Sequence, residues 1–134
     1  MIMVNKKYKN VEIKREKDFT VFTFKKTLDF DNFIIICEEF YNSNPTKNVL
    51  FDISAGDFKG INDKQTEIAS QFLKDNFYRR PANAKTAFVV LGFDDLGRIK
   101  SWRFWNIVKG IGLNSKIFHD RKSAIDWINE GELG

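Results

Sequence analysis

The sequence predicts an α/β domain: a mixed, largely parallel sheet of four to five strands, an N-terminal antiparallel hairpin and about four helices. Three observations carry this reading. Two β-rich runs near the start flank a short polar stretch, as in a hairpin. Beyond them, continuous apolar runs alternate with apolar residues at helical spacing. Strands alternating with helices imply parallel pairing beneath covering helices. The 134 residues, 43% hydrophobic and including 14 phenylalanines, can build a sizeable core. No repeat or linker divides the chain, so 1–134 reads as one domain with its core at about 11–129.

The elements follow in order. "NVEIKREKDFTVFTF" gives strands at Val11–Lys14 and Phe19–Phe24 around the turn "REKD". In "LDFDNFIIICEEFYN", Phe30, Phe33, Ile34, Cys37, Phe40 and Tyr41 fall on one helical face. Asp29 caps that helix, Asp31 adds charge in its first turn, and Pro45 helps stop it. "NVLFDI" is nearly all apolar, as in a strand covered on both faces. Asn62 and Gln65 have capping-box spacing ahead of a helix that buries Ile68, Ala69, Phe72 and Leu73 and ends before Pro81. Thr86–Leu91 reads as the central strand. A helix from about Asp94 to Gly110 and the strand "SKIF" come next. "DRKSAIDWINE" closes the chain as a helix capped by Asp120, with Ala124, Trp127 and Ile128 inward.

Charge is unevenly distributed. The net charge is +4, yet Arg79–Lys116 holds eight Lys/Arg against two Asp/Glu, leaving 14 basic and 16 acidic residues elsewhere. This part of the chain either favours an anionic partner or is a basic solvated surface. Cys37 is the sole cysteine, which precludes an intramolecular disulfide and fits a reducing compartment. "MIMV" is too short for a signal-peptide core, and no apolar run approaches the roughly 20 residues of a membrane span. The expected location is the cytoplasm.

The hairpin, "NVLFDIS", the capped helix, "TAFVVL" and the ending "KIFHDRKSAIDWI" together resemble bacterial STAS-like domains, specifically the SpoIIAA-like group. The resemblance spans about Val11 to Asn129. It implies helices mainly on one face of the sheet and a non-catalytic regulatory or protein-interaction module. Related folds include the CRAL-TRIO lipid-binding domains. In the sporulation anti-anti-sigma proteins, a serine opening the helix after the third strand is phosphorylated to release a partner. Here that segment reads "FKGINDKQ", with Ile61, Asn62 and Asp63 in place of the hydroxyl-bearing motif. The expectation is a module without the phosphorylation switch.

Two constellations are candidates for contact with a partner. The first is the loop carrying Ser54, Asp57, Asn62 and Asp63, which lacks nucleotide-loop glycine spacing and reads as a structural turn capable of partner contact. The second lies in "DDLGRIKSWRFWNIVKGIG". At about 100° per residue, Leu96, Phe104, Ile107, Val108 and Ile111 share one side, expected to be core. Arg98, Trp102, Trp105 and Lys109 cluster opposite. Either these rings are covered by "MIMVNKKY" or a neighbouring element, or they form a partner-binding stripe, for which Trp and Arg are suited.

His119 is the only histidine and Cys37 is expected to be buried, so no metal site, catalytic residue or cofactor is anticipated. Stacking rings beside cations suit single-stranded nucleic acid, but a +4 chain without an RNA-binding motif disfavours it. The leading expectation is an interaction module with a protein partner or a homo-oligomer. A small apolar ligand or lipid carrier is second, and an unrecognised enzyme third. A carrier should show a phenylalanine-lined cavity, an interaction module a filled core with a paired or exposed Trp stripe, and an enzyme a cleft of convergent polar groups.

Overall fold

Six strands lie in one sheet in chain order: β1 (Lys6–Tyr8), β2 (Val11–Arg15), β3 (Phe19–Phe24), β4 (Asn48–Asp52), β5 (Lys85–Val89) and β6 (Asn114–Phe118). The structure is a computed structural model and describes residues 6–8 and 10–130. Pairing is antiparallel for β1–β2 and β2–β3, and parallel from β3 to β6. All five expected strands are present. β1 adds to them, turning into β2 next to Asn10, whose φ of 67° is one that asparagine tolerates. β5 lies between β4 and β6, not mid-sheet as expected, and Leu91 lies beyond it, 64% exposed.

The strand order dictates where the helices go. α1 (Phe30–Asn42), α2 (Asp63–Asn76) and α3 (Phe93–Val108) each connect a parallel strand to its next neighbour, always stepping the same way along the sheet. Connections of one hand stepping one way put every crossover helix on the same face. α4 (Arg121–Asn129) follows the last strand and covers the other face. The pleat then sorts side chains into two cores. Phe22, Val49 and Phe88 join the α1–α3 side, while Val21, Leu50, Ala87 and Val89 pack with Ala124 and Ile128 of α4.

Local signals set the helix ends. The Asp29 carboxylate accepts from Asn32 N at 2.8 Å, and that of Asp120 from Ser123 N at 2.7 Å. Asn62 and Gln65 form the expected reciprocal capping box, at 2.8 and 3.0 Å. α1 stops at Asn42, with Asn44 at φ 61° ahead of Pro45. α2 ends at Asn76 and passes through a 3-10 turn, Phe77–Arg79, before Pro81. After β4 the chain passes close to the end of β3. A Cβ on Gly56 would lie 2.8 Å from Phe24 O and 2.9 Å from Lys26 O, so only glycine fits.

The faces of α3 are the reverse of those expected. Phe104, Ile107 and Val108 are 60%, 76% and 58% exposed, while Asp95, Ile99 and Asn106 are buried and Trp102 packs against the core. Only Leu96 and Ile111 of the expected apolar side reach the core, as partly buried neighbours. The physical reason is specific pairing. Trp102 meets Phe88 edge-on at 5.4 Å, and the Asp95 carboxylate accepts from the buried Phe58 N–H at 2.9 Å. In α2, Ile68 is likewise exposed, whereas Ala69 and Leu73 are buried as expected and Phe72 is half-buried. Trp127 of α4 is half-buried, its ring against Phe118.

Candidate functional site

The parallel register aligns one phenylalanine from each of three adjacent strands: Phe22 opposite Phe51, and Phe51 opposite Phe88. Their rings stack at 5.1 and 5.5 Å with interplanar angles of 24° and 17°. Stacked flat rings make a rigid apolar floor, favoured as cross-strand aromatic pairs. Above it, the α1 face expected from sequence is the roof, contributing Phe30, Phe33, Ile34, Cys37, Phe40 and Tyr41. α2 adds Ala69, Phe72 and Leu73, and α3 adds Ile99 and Trp102.

Between floor and roof lies a cavity of about 90 Å³. This explains a departure from the expected α1 face: Phe30, Phe33, Ile34 and Cys37 keep accessible surface, whereas Ile36, Phe40 and Tyr41 are buried. Phe51, flanked by strands on both sides, is also only half-buried, because its ring faces this space. Rigid rings meeting the small Ala69 and Thr66 leave a gap that flexible aliphatic chains would close.

No carboxylate or histidine lines the cavity among the described residues. Burial pushes the Cys37 thiol up to about 12, with Glu38 adding to the shift, which favours the neutral thiol. Burial also pushes the Tyr41 hydroxyl up to about 12, against the opposing pull of Arg80. Two arginines reach the wall. Arg80 donates to Lys47 O at 3.2 and 3.0 Å, to Lys85 O at 2.8 Å and to Thr86 Oγ1 at 2.9 Å. Arg98 donates from Nε to Ile61 O at 3.4 Å, while its buried Nη1 has no hydrogen-bond partner among the described residues.

Of the loop residues singled out from sequence, Ser54, Asp57 and Asn62 are engaged within the chain, and Asn62 and Asp63 line one shallow recess. Ser54 donates from its amide (3.0 Å) and hydroxyl (2.6 Å) to Asp52 Oδ1, and Arg121 holds Asp52 Oδ2 at 2.9 and 2.8 Å while reaching Thr23 Oγ1 at 2.8 Å. Burial works against the charge on Asp52, but the Ser54 bonds and Arg121 outweigh it and hold the carboxyl below the usual 3.8. Asp57 accepts from Thr27 Oγ1 and Lys59 N, each at 3.0 Å. Asn62 caps α2 and Asp63 is exposed in its first turn. Thr66 is buried, its hydroxyl donating to Asn62 O at 3.0 Å.

The four residues of the expected Trp stripe, Arg98, Trp102, Trp105 and Lys109, are each half-buried. Trp102 joins the cavity wall, and Trp105 is half-buried against Phe104. Lys109 reaches Gln71 Oε1 at 3.1 Å and Glu67 at 3.9 Å on α2. Trp102 packs on the sheet and Lys109 reaches α2, whereas of the segment "MIMVNKKY" expected as an alternative cover, Lys6–Tyr8 form β1 at the sheet edge opposite β6 and residues 1–5 lie outside the described residues. His119 is exposed, with Nδ1 3.4 Å from Val90 O. The sequence reading missed the phenylalanine ladder, whose only signal was a phenylalanine at similar positions in "TVFTF", "VLFDI" and "TAFVV". No described helix is long and apolar enough to cross a membrane.

No family profile and no curated protein sequence matches the chain. Among solved structures it is similar to an uncharacterized protein of the DUF3478 family with a SpoIIAA-like fold from Shewanella loihica PV-4. The two share 16% sequence identity over 88% of this chain and 91% of that one, with a TM-score of 0.54. The likeness is one of fold: this chain has a SpoIIAA-like fold, as its sequence resemblance implied.

Proposed function

We propose that this chain is a non-catalytic SpoIIAA-like module that holds a small apolar ligand between the phenylalanine ladder and α1–α3. The observation that carries this reading is the aromatic-lined cavity of about 90 Å³. Of the alternatives set out from sequence, a carrier alone called for a cavity with phenylalanine walls. A ligand entering such a space gains the dispersion contacts that the surrounding rings lack, without displacing well-bonded water. Among the described residues no carboxylate or histidine lines the wall to act as a general base or acid of ordinary kind, which supports binding over chemistry. The absence of a phosphorylation switch is supported by Ser54, held by Asp52, and Thr66, buried in α2.

Native mass spectrometry of the purified protein tests this reading, followed by thermal melts of stripped protein with 1-hexanol. The expected result is a non-covalent small molecule at one per chain, or a rise in Tm that saturates with 1-hexanol. No bound species together with an unchanged Tm would contradict it.

A second reading, the protein-interaction module, is favoured by one observation. The outer face of α3 presents Phe93 (87% exposed), Phe104, Ile107 and Val108, and β6 is an edge strand of the sheet. An apolar face together with an open edge suits a second copy of this chain. Sedimentation of wild type against Phe104→Lys distinguishes a self-associating protein from a monomer.

A further inference from the structure

We propose that the ligand carries a single carboxylate, seated on Arg98, with its apolar part lying along the phenylalanine ladder; this rests on the ligand-binding reading above. The two arginines at the cavity wall differ in one respect. Arg80 spends its donors on backbone carbonyls and Thr86, and acts as a structural clamp. Arg98 holds a buried Nη1 with no hydrogen-bond acceptor among the described residues. Its nearest carboxylate, Asp95 Oδ1, lies 3.9 Å away, beyond hydrogen-bond reach, and already accepts from Phe58 N at 2.9 Å. A buried guanidinium donor without an acceptor is costly, and an oxygen brought in by a ligand relieves that cost.

Position reinforces the assignment. Arg98 and Ile61 belong to both the cavity and a shallow polar recess that opens between the starts of α2 and α3. The guanidinium therefore stands at the boundary between apolar interior and surface, with its side chain 29% exposed. Asp63 and Asp94 also line the recess and set a limit on the charge it takes. They repel a dianionic headgroup such as a phosphate monoester about twice as strongly as a single carboxylate, so Arg98 favours the single carboxylate. The size of the cavity points to a short alkyl or single-ring carboxylic acid.

The experiment compares hexanoate, 1-hexanol and hexyl phosphate by titration of Trp102 fluorescence, using wild type, Arg98→Met and Ala69→Leu. Trp105 and Trp127 each replaced by Phe in all three proteins isolate the reporter. Hexanoate is expected to bind about tenfold more tightly than 1-hexanol, the effect of one charge-assisted hydrogen bond, and hexyl phosphate more weakly than hexanoate. Arg98→Met should remove the preference for hexanoate while retaining 1-hexanol, and Ala69→Leu should weaken both. Equal binding of hexanoate and 1-hexanol, or a preference that survives Arg98→Met, overturns the carboxylate assignment and leaves the cavity reading standing. Binding of none of the three overturns both. Should Arg98→Met fail to fold, Arg98→Gln serves instead, and a hexanoate preference that survives it overturns the carboxylate assignment.

Discussion

The two faces of the sheet solve the same packing problem with different residues. On the α4 side, Val21, Leu50, Ala87 and Val89 meet Ala124 and Ile128, none of the six more than 5% exposed, with the partly buried rings of Phe19, Phe118 and Trp127 at the margin. On the α1–α3 side, large rings dominate, yet Phe33, Phe51, Phe72 and Trp102 remain partly accessible around a cavity. Small and branched aliphatic side chains take the shape of the space available. Flat rings locked in a cross-strand stack cannot, and where they face small residues they leave a gap. One face of the fold thus has a closely packed aliphatic centre, and the other a core with a cavity in it.

The sharpest way to break this comparison is to truncate one leucine on each face. Leu50→Ala, on the α4 side, should cost about 3–5 kcal/mol, because its neighbours close around every methyl group. Leu73→Ala, at the cavity wall, should cost about 2 kcal/mol, since one side of that leucine already lacks partners. Urea denaturation gives both values, and equal costs would mean that the two faces are packed alike.

Enlarging an alanine reverses the sign. Ala124→Leu forces three extra carbons into a space with 0% exposure, and should destabilise by about 1–3 kcal/mol. Ala69→Leu fills existing space and should be neutral or stabilise by up to about 1 kcal/mol. Opposite shifts in Tm would sharpen the distinction; two losses of similar size would erase it.

A smaller effect comes from the pH dependence of the link that ties α4 to the strand ends. Asp52 has a folded-state pKa below its usual 3.8, so its charged form stabilises the fold above that value. The contribution is lost as pH falls through the depressed folded pKa. Asp52→Asn should lower stability at pH 7 and flatten the acid limb below about pH 4. A variant whose melt retains the wild-type acid limb would show that Asp52 does not carry it.

The smallest effect is expected outside both cores. Phe104→Ser and Ile107→Ser, on the outer face of α3, should change stability by no more than about 0.5 kcal/mol in the monomer. A large loss in either would mean that this face is covered.

The elements were legible because each carries a local signal: the Asn62–Gln65 capping box, the Asp29 and Asp120 caps, and the apolar runs of β4 and β5. The α1 stripe was legible too, since all six of its residues point to one place. What that place contains was not, because a cavity depends on how rings from three strands align, and single-strand patterns do not carry register. α3 was misread for a related reason. Its apolar residues outnumber the polar ones on the side that faces solvent, while Asp95 and Trp102 turn inward through pairing with Phe58 and Phe88. Hydrophobic counting orients a helix only when burial, and not specific partners, decides its rotation.

The most direct test of the account is methyl-resolved NMR during titration with 1-hexanol, because it reads both faces in one experiment. The account predicts saturable shifts at Ile34, Ala69, Leu73 and Ile99 around the cavity, with Leu50, Ala87, Ala124 and Ile128 unmoved. Shifts confined to Ile107 and Val108 on the outer face of α3, or none at all, would contradict it.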